Sequence, residues 1–97
     1  MSEKGEILVA LGAALPELRR RWPIRSLAIF GSVAREEESA ESDLDVLVEF
    51  QRPIALSSFL RLEQTLSEIA GRPVDLVSRA SLKPFIGARI LGEAVLV

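Results

Sequence analysis

Ile7, Leu8, Leu11, Leu15 and Leu18 recur at helical spacing and predict a first helix over residues 6–22, ended by Pro23. Arg19, Arg20 and Arg21 fall in its last turn, where cations complement the helix dipole. The short apolar run 26–30 (SLAIF) predicts a buried strand, broken by Gly31-Ser32. Residues 33–38 predict a helical turn and 39–42 a loop. From 43 to 50 the chain alternates: Leu44, Val46, Val48 and Phe50 on one face, Asp43, Asp45, Leu47 and Glu49 on the other. Pro53 ends this second strand. A long amphipathic helix follows over 55–70, with Leu56, Phe59, Leu60, Leu62, Leu66 and Ile69 as its stripe and Gly71 as its C-cap. Residues 74–78 (VDLVS) predict a third strand. Residues 81–91 predict a last helix, with Ser81 as N-cap and Pro84 in its first turn. Residues 93–97 predict a final edge strand.

Helices alternating with short strands place the chain in the α/β (α+β) class, as a single domain over 1–97. The expected architecture is a small mixed sheet of three to four strands flanked by helices. The link from Phe30 to Asp43 has little room for a crossover helix, so the first two strands should be antiparallel. The tail Ala94-Val95-Leu96-Val97 and the pair Phe85-Ile86 are expected in the core rather than on a partner surface.

Composition removes several chemistries. The net charge is -2, which argues against a nucleic-acid or anionic-membrane binder. No stretch approaches the ~20 apolar residues of a membrane span, and a cytoplasmic location is expected. With no Cys there is no disulfide, thiolate nucleophile or Cys-type zinc site. With no His there is no imidazole base. A metal would need oxygen ligands, which favours magnesium, manganese or calcium.

Asp43 and Asp45 leave the same side of a strand, roughly 6.5–7 Å apart at Cα. Two ionised carboxylates so close repel unless a cation lies between them. The apolar opposite face prevents relief by register slip. Asp75, midway along the third strand, can join them on that side. Gly31 lets the backbone turn sharply and approach a ligand. Ser32 offers a hydroxyl and an N–H at a helix start, a site for an anion. Arg35, one turn on, can pair with a phosphate oxygen. A phosphate site beside a carboxylate site fits a magnesium-bound nucleoside triphosphate.

The segment Phe30-Gly31-Ser32, ten residues, Asp43-Leu44-Asp45, then Asp75 on a later strand resembles the signature of the DNA polymerase β-like nucleotidyltransferase superfamily. Ser32-Val33-Ala34-Arg35 and Ser42-Asp43-Leu44-Asp45 are similar to the form found in minimal nucleotidyltransferase (MNT) domains. The resemblance covers essentially the whole chain and implies the minimal nucleotidyltransferase fold. It implies that Asp43, Asp45 and Asp75 are the catalytic, metal-holding triad, with two Mg2+ ions (or Mn2+). It implies that Gly31, Ser32, Arg35 and Ser42 bind the nucleotide, ATP. Glu49 has no counterpart in the signature and reads as a solvated strand position. The family commonly has Gly after the Arg; this chain has Glu36, opening the run Glu36-Glu37-Glu38, which is expected to face solvent or a basic partner.

No acceptor-gripping domain fits beside this core, so the acceptor is expected on a second chain. The resemblance implies a HEPN-domain toxin as partner, modified by AMP on a tyrosine, with this chain as antitoxin; a homo- or hetero-oligomer is expected. The absence of Tyr here fits a reaction on another chain. A contact-only antitoxin is the alternative, though it gives no reason for three clustered charges. Transfer to a small molecule is weakened by the lack of an acceptor domain. A structural metal site would leave Gly31, Ser32 and Arg35 unexplained.

Overall fold

The structure, a computed structural model, describes residues 3–37 and 43–97. Helix α1 (Glu3–Arg21) leads to strand β1 (Ile24–Phe30), which runs directly into the one-turn helix α2 (Gly31–Ala34). Strand β2 (Leu44–Phe50), helix α3 (Leu56–Ala70) and strand β3 (Val74–Ser78) follow. Then come a 3-10 turn (Arg79–Ser81), helix α4 (Pro84–Glu93) and the short strand β4 (Val95–Leu96). The sheet order is β3-β2-β1-β4. β1 is antiparallel to β2 and to β4, while β2 and β3 are parallel. The mixed α/β sheet and the antiparallel first pair are as expected from the sequence.

β1 reads as one apolar run because both of its faces are covered. Leu27 and Ile29 enter the main core, while Ala28 and Phe30 join Leu47 in a smaller cluster on the other face. The main core sets Ile7, Leu11 and Leu18 of α1 and Leu62 and Leu66 of α3 against Leu44, Val46 and Val48. Trp22 is buried, and its ring N–H donates to the Ser58 carbonyl at 2.9 Å, tying the end of α1 to α3. β3 is an outer strand. The N–H groups of Val74 and Leu76 donate to Ser67 Oγ (3.0 Å) and Glu63 Oε2 (2.8 Å) of α3, which closes part of its free edge.

On the second face Leu82, just before α4, and Ile90 of α4 pack, with Val77 and Ala94, against the small cluster of Ala28, Phe30 and Leu47. Asp45 and Glu49, on either side of Leu47 along β2, stay half-exposed. Since β2 and β3 are parallel, Asp45 and Asp75 share one end of the sheet and Glu49 and Ser78 the other.

Several expectations need correction. β1 begins at Ile24, because Ile24 already pairs with Phe50 across a register shift before Ser26. Ser81 is not an N-cap. It closes the 3-10 turn with its hydroxyl donating to the Ser78 carbonyl at 2.8 Å, and α4 starts at Pro84 with Lys83 in the cap position. Glu93 belongs to α4, not to the last strand. Ala94, Val95 and Val97 do pack on the buried clusters, but Leu96 is 72% exposed, and Phe85 at 90% and Ile86 at 54% are not core either.

Candidate active site

β1 ends at Phe30, which pairs with Asp45 of β2, and Asp45 pairs in turn with Asp75 of β3. Neighbouring residues in register on adjacent strands point to the same side, roughly 4.8 Å apart. Asp43 sits one residue before β2 and is exposed. The expected alignment of Asp75 with Asp45 is therefore found; the strand itself starts one residue later than the alternation predicts.

Gly31 begins α2 at φ +73, a left-handed conformation that favours glycine. A side chain there has no room. A Cβ on Gly31 would overlap Oδ2 of Asp45 and stand 3.0 Å from its Cγ. The turn thus lies directly against the Asp45 carboxylate. Ser32, half-buried, is the second residue of α2.

Burial holds the Asp45 carboxyl above the ordinary carboxylate range, and the charges of Asp75 and then Asp43 push the same way. Arg35 pulls it down and Glu93 adds a small upward push. Asp45 therefore feels Asp75 and Asp43 as like charges. Among the described residues no group of three or more acidic side chains stands close enough together to hold a metal ion. The donor set is nonetheless of the kind that suits a divalent cation: hard carboxylate oxygens, with like-charge repulsion at Asp45 that Arg35 only partly offsets.

Arg35 follows α2, and sequence reasoning missed its partners. Its NH1 donates to Glu93 Oε2 at 2.8 Å and its Nε to Glu37 Oε2 at 3.1 Å. The bonds to Glu93 and then Glu37 raise its pKa. Glu93 lies 58 residues away on α4, and no local signal could have announced it. Glu37 turns to Arg35 rather than only to solvent. Glu36 occupies a left-handed position at φ 59, which accounts for the glycine common at that place in the family. Glu36→Gly is expected to stabilise the chain by up to about 1 kcal/mol through relief of that strain, read as a rise in melting temperature. Ser42 and Glu38 lie outside the described residues. Glu49, read as a solvated position, is half-buried and faces Arg79 at 3.9 Å, at the far end of the strand from the acids.

These elements define a minimal nucleotidyltransferase fold with its acidic residues at one end of the sheet. A solved candidate minimal nucleotidyltransferase superposes with a TM-score of 0.79 at 35% identity, over 92% of this chain and 90% of that one. The chain also matches the nucleotidyltransferase domain model over residues 11–97, and it belongs to that family. It is 41% identical to the protein adenylyltransferase MntA of Thermococcus cleftensis, over 95% of this chain and 93% of the relative. A chain from the complex of tri-AMPylated Shewanella oneidensis HEPN toxin with MNT antitoxin superposes with a TM-score of 0.69. At 19% identity, over 93% of this chain and 70% of that one, that likeness is one of fold alone. Among the described residues no helix is long and apolar enough to cross a membrane.

Proposed function

We propose that this nucleotidyltransferase transfers AMP from ATP to a tyrosine hydroxyl of a HEPN-domain toxin in the cytoplasm, and acts as its antitoxin in a complex with it. The observation that carries this reading is the row Phe30, Asp45, Asp75 across three adjacent strands, with the Gly31 turn packed directly against the Asp45 carboxylate. In this reading the turn binds phosphate and the acids beside it bind metal. The T. cleftensis relative is a protein adenylyltransferase, and the Shewanella neighbour comes from a complex with an AMP-modified HEPN toxin; both support the acceptor class.

In this reading Asp43, Asp45 and Asp75 would hold Mg2+ (or Mn2+), which would supply charge neutralisation on the phosphates and a lowered hydroxyl pKa. Gly31 lets the backbone approach the triphosphate tail, and Ser32 donates its hydroxyl and N–H to a phosphate oxygen. Ser42, outside the described residues, would add a further contact to the nucleotide. Arg35, held by Glu93 and Glu37, stands beside α2 with donors left for a phosphate. The tyrosine oxygen attacks the α-phosphorus. A new O–P bond forms, the bond to the bridging oxygen breaks, pyrophosphate leaves toward Gly31-Ser32, and the hydroxyl proton departs on the Asp75 side. In-line geometry suits this order across the sheet.

The test is transfer of label from α-labelled ATP with magnesium to the HEPN-domain partner, with the modified residue read by mass spectrometry. Label on a partner tyrosine supports the reading; an unlabelled partner that is still neutralised favours inhibition by contact. Ser32→Ala should weaken ATP binding by about 1.5–3 kcal/mol, one charge-assisted hydrogen bond. Unchanged ATP affinity in a direct titration would remove Ser32 from the phosphate site.

A further inference from the structure

At the end of the sheet opposite the acids lies an open cleft of about 890 Å³. The last residues of β2 and β3, the loop 51–55, the 3-10 turn and the start of α3 line it. Its floor is apolar, with Phe50 and Phe59 in edge-to-face contact at 6.4 Å between ring centres. Leu56, at its mouth, is 72% exposed. Arg52 and Arg79 stand on its rim, and Glu49 is its one acidic lining residue. Arg52 has no partner among the described residues. The cleft shares Gln51 and Arg52 with a neighbouring hollow of about 220 Å³, whose walls are Arg19, Arg20, Arg21 and Trp22. Arg21 stacks over the Trp22 ring at 4.4 Å. Five arginines therefore gather at this end of a chain whose net charge is -2.

We infer that this arginine-rimmed apolar cleft is the docking surface for the protein acceptor, an apolar anchor flanked by acidic side chains. The inference rests on the AMP-acceptor reading above and deepens it. In-line transfer needs the leaving pyrophosphate and the attacking hydroxyl on opposite sides of the α-phosphorus. The phosphate turn lies on the β1 side, so the hydroxyl arrives on the side of Asp75 and the outer strand β3. From Asp75 to Arg79 is four residues along β3 and its continuation, roughly 13 Å. A protein segment seated in the cleft can thus deliver a neighbouring tyrosine to the acids. An apolar floor with an arginine rim is the usual anatomy of a recognition surface, and Arg is enriched among residues that dominate binding. The charge sign selects an acidic partner.

The test combines Arg52→Glu, Leu56→Asp and Arg79→Glu in the full chain, all at exposed positions outside the acidic site. The purified HEPN-domain partner is the probe, with complex formation read by biolayer interferometry and transfer read as KM for that protein and for ATP. Binding should weaken by about 30-fold or more, KM for the partner should rise in step, and KM for ATP should stay within about twofold. Raised salt should weaken wild-type binding and leave the variant nearly unaffected. Partner affinity within about threefold of wild type overturns the docking surface and leaves the AMP-transfer reading intact. If the wild type binds the partner without modifying it, the transfer reading fails while the loss of binding still decides the surface. No wild-type binding overturns both. A 20-nucleotide RNA that binds the wild type and not the variant, with partner affinity unchanged, reassigns the arginines to nucleic acid and also overturns the inference.

Discussion

The Asp45→Asn chain is expected to fold, to melt higher than the wild type in metal-free buffer, and to transfer no measurable AMP. The stability gain follows from the surroundings of Asp45. Burial and the charges of Asp75 and Asp43 hold its carboxyl above the ordinary range. A carboxyl whose pKa is higher in the folded chain than in the unfolded one binds its proton more tightly when folded. Stability is therefore lost as pH climbs from the unfolded value through the folded one, and at neutral pH the full cost is present. Asn cannot ionise and has no such cost. Solvent screens this half-exposed group, so the gain stays at about 1 kcal/mol or less, a rise of a few degrees for a domain of this size. The loss of transfer is far larger. Removing one metal-holding carboxylate should cost several kcal/mol of transition-state stabilisation, about 10³-fold or more in rate. Differential scanning calorimetry across pH and the labelled-ATP assay read the two effects separately. A variant that transfers AMP at the wild-type rate would strip Asp45 of its role. A melting temperature that falls instead would mean that the carboxylate stabilises the metal-free chain.

How much of this was legible in the sequence differs by element. The alternation of β2 and the apolar run of β1 are local patterns, and both strands form where they predict, to within two residues. The alignment of Asp75 with Asp45 was reachable because a parallel neighbour strand with the same in–out alternation leaves few registers that bury Val74 and Leu76. The glycine at residue 31 announced a special backbone, but not that it would lie against Asp45, since the contact spans the loop to the next strand. The pairing of Arg35 with Glu93 depends on where α4 crosses the sheet, and no spacing in the sequence encodes it. The same limit explains Phe85 and Ile86. Apolar residues at a helix start read as core, yet the packing on the sheet comes from Leu82 before α4 and Ile90 within it, and Phe85 and Ile86 face solvent. The cleft at the far end was equally hidden, because its walls come from two stretches of chain, 49–59 and 76–81, that only the fold brings together.

Gly31→Ala should damage activity much more than stability. The methyl group enters a left-handed backbone position at φ +73, which costs about 1–2 kcal/mol, or roughly 4–15 °C in melting temperature. It also overlaps Oδ2 of Asp45, and the half-exposed carboxylate can relieve that overlap only by turning away. The stability cost of the overlap is therefore small, but the displaced oxygen leaves the acidic row. A misplacement near 1 Å at a reacting centre is worth about 10²-fold in rate. A double-mutant cycle with Asp45→Ala separates the two effects. In the Asp45→Ala background the carboxylate is gone, so Gly31→Ala should retain its backbone cost and lose the part due to overlap. Some crowding persists, because the Asp45 Cβ would stand 3.3 Å from the new methyl group. A nonzero coupling in melting temperature establishes contact between the glycine turn and the carboxylate. Zero coupling, with transfer by the Gly31→Ala chain at the wild-type rate, would show that the turn and the acid act independently. The nucleotide would then have to be held by Ser32 and Arg35 without the close approach that Gly31 allows.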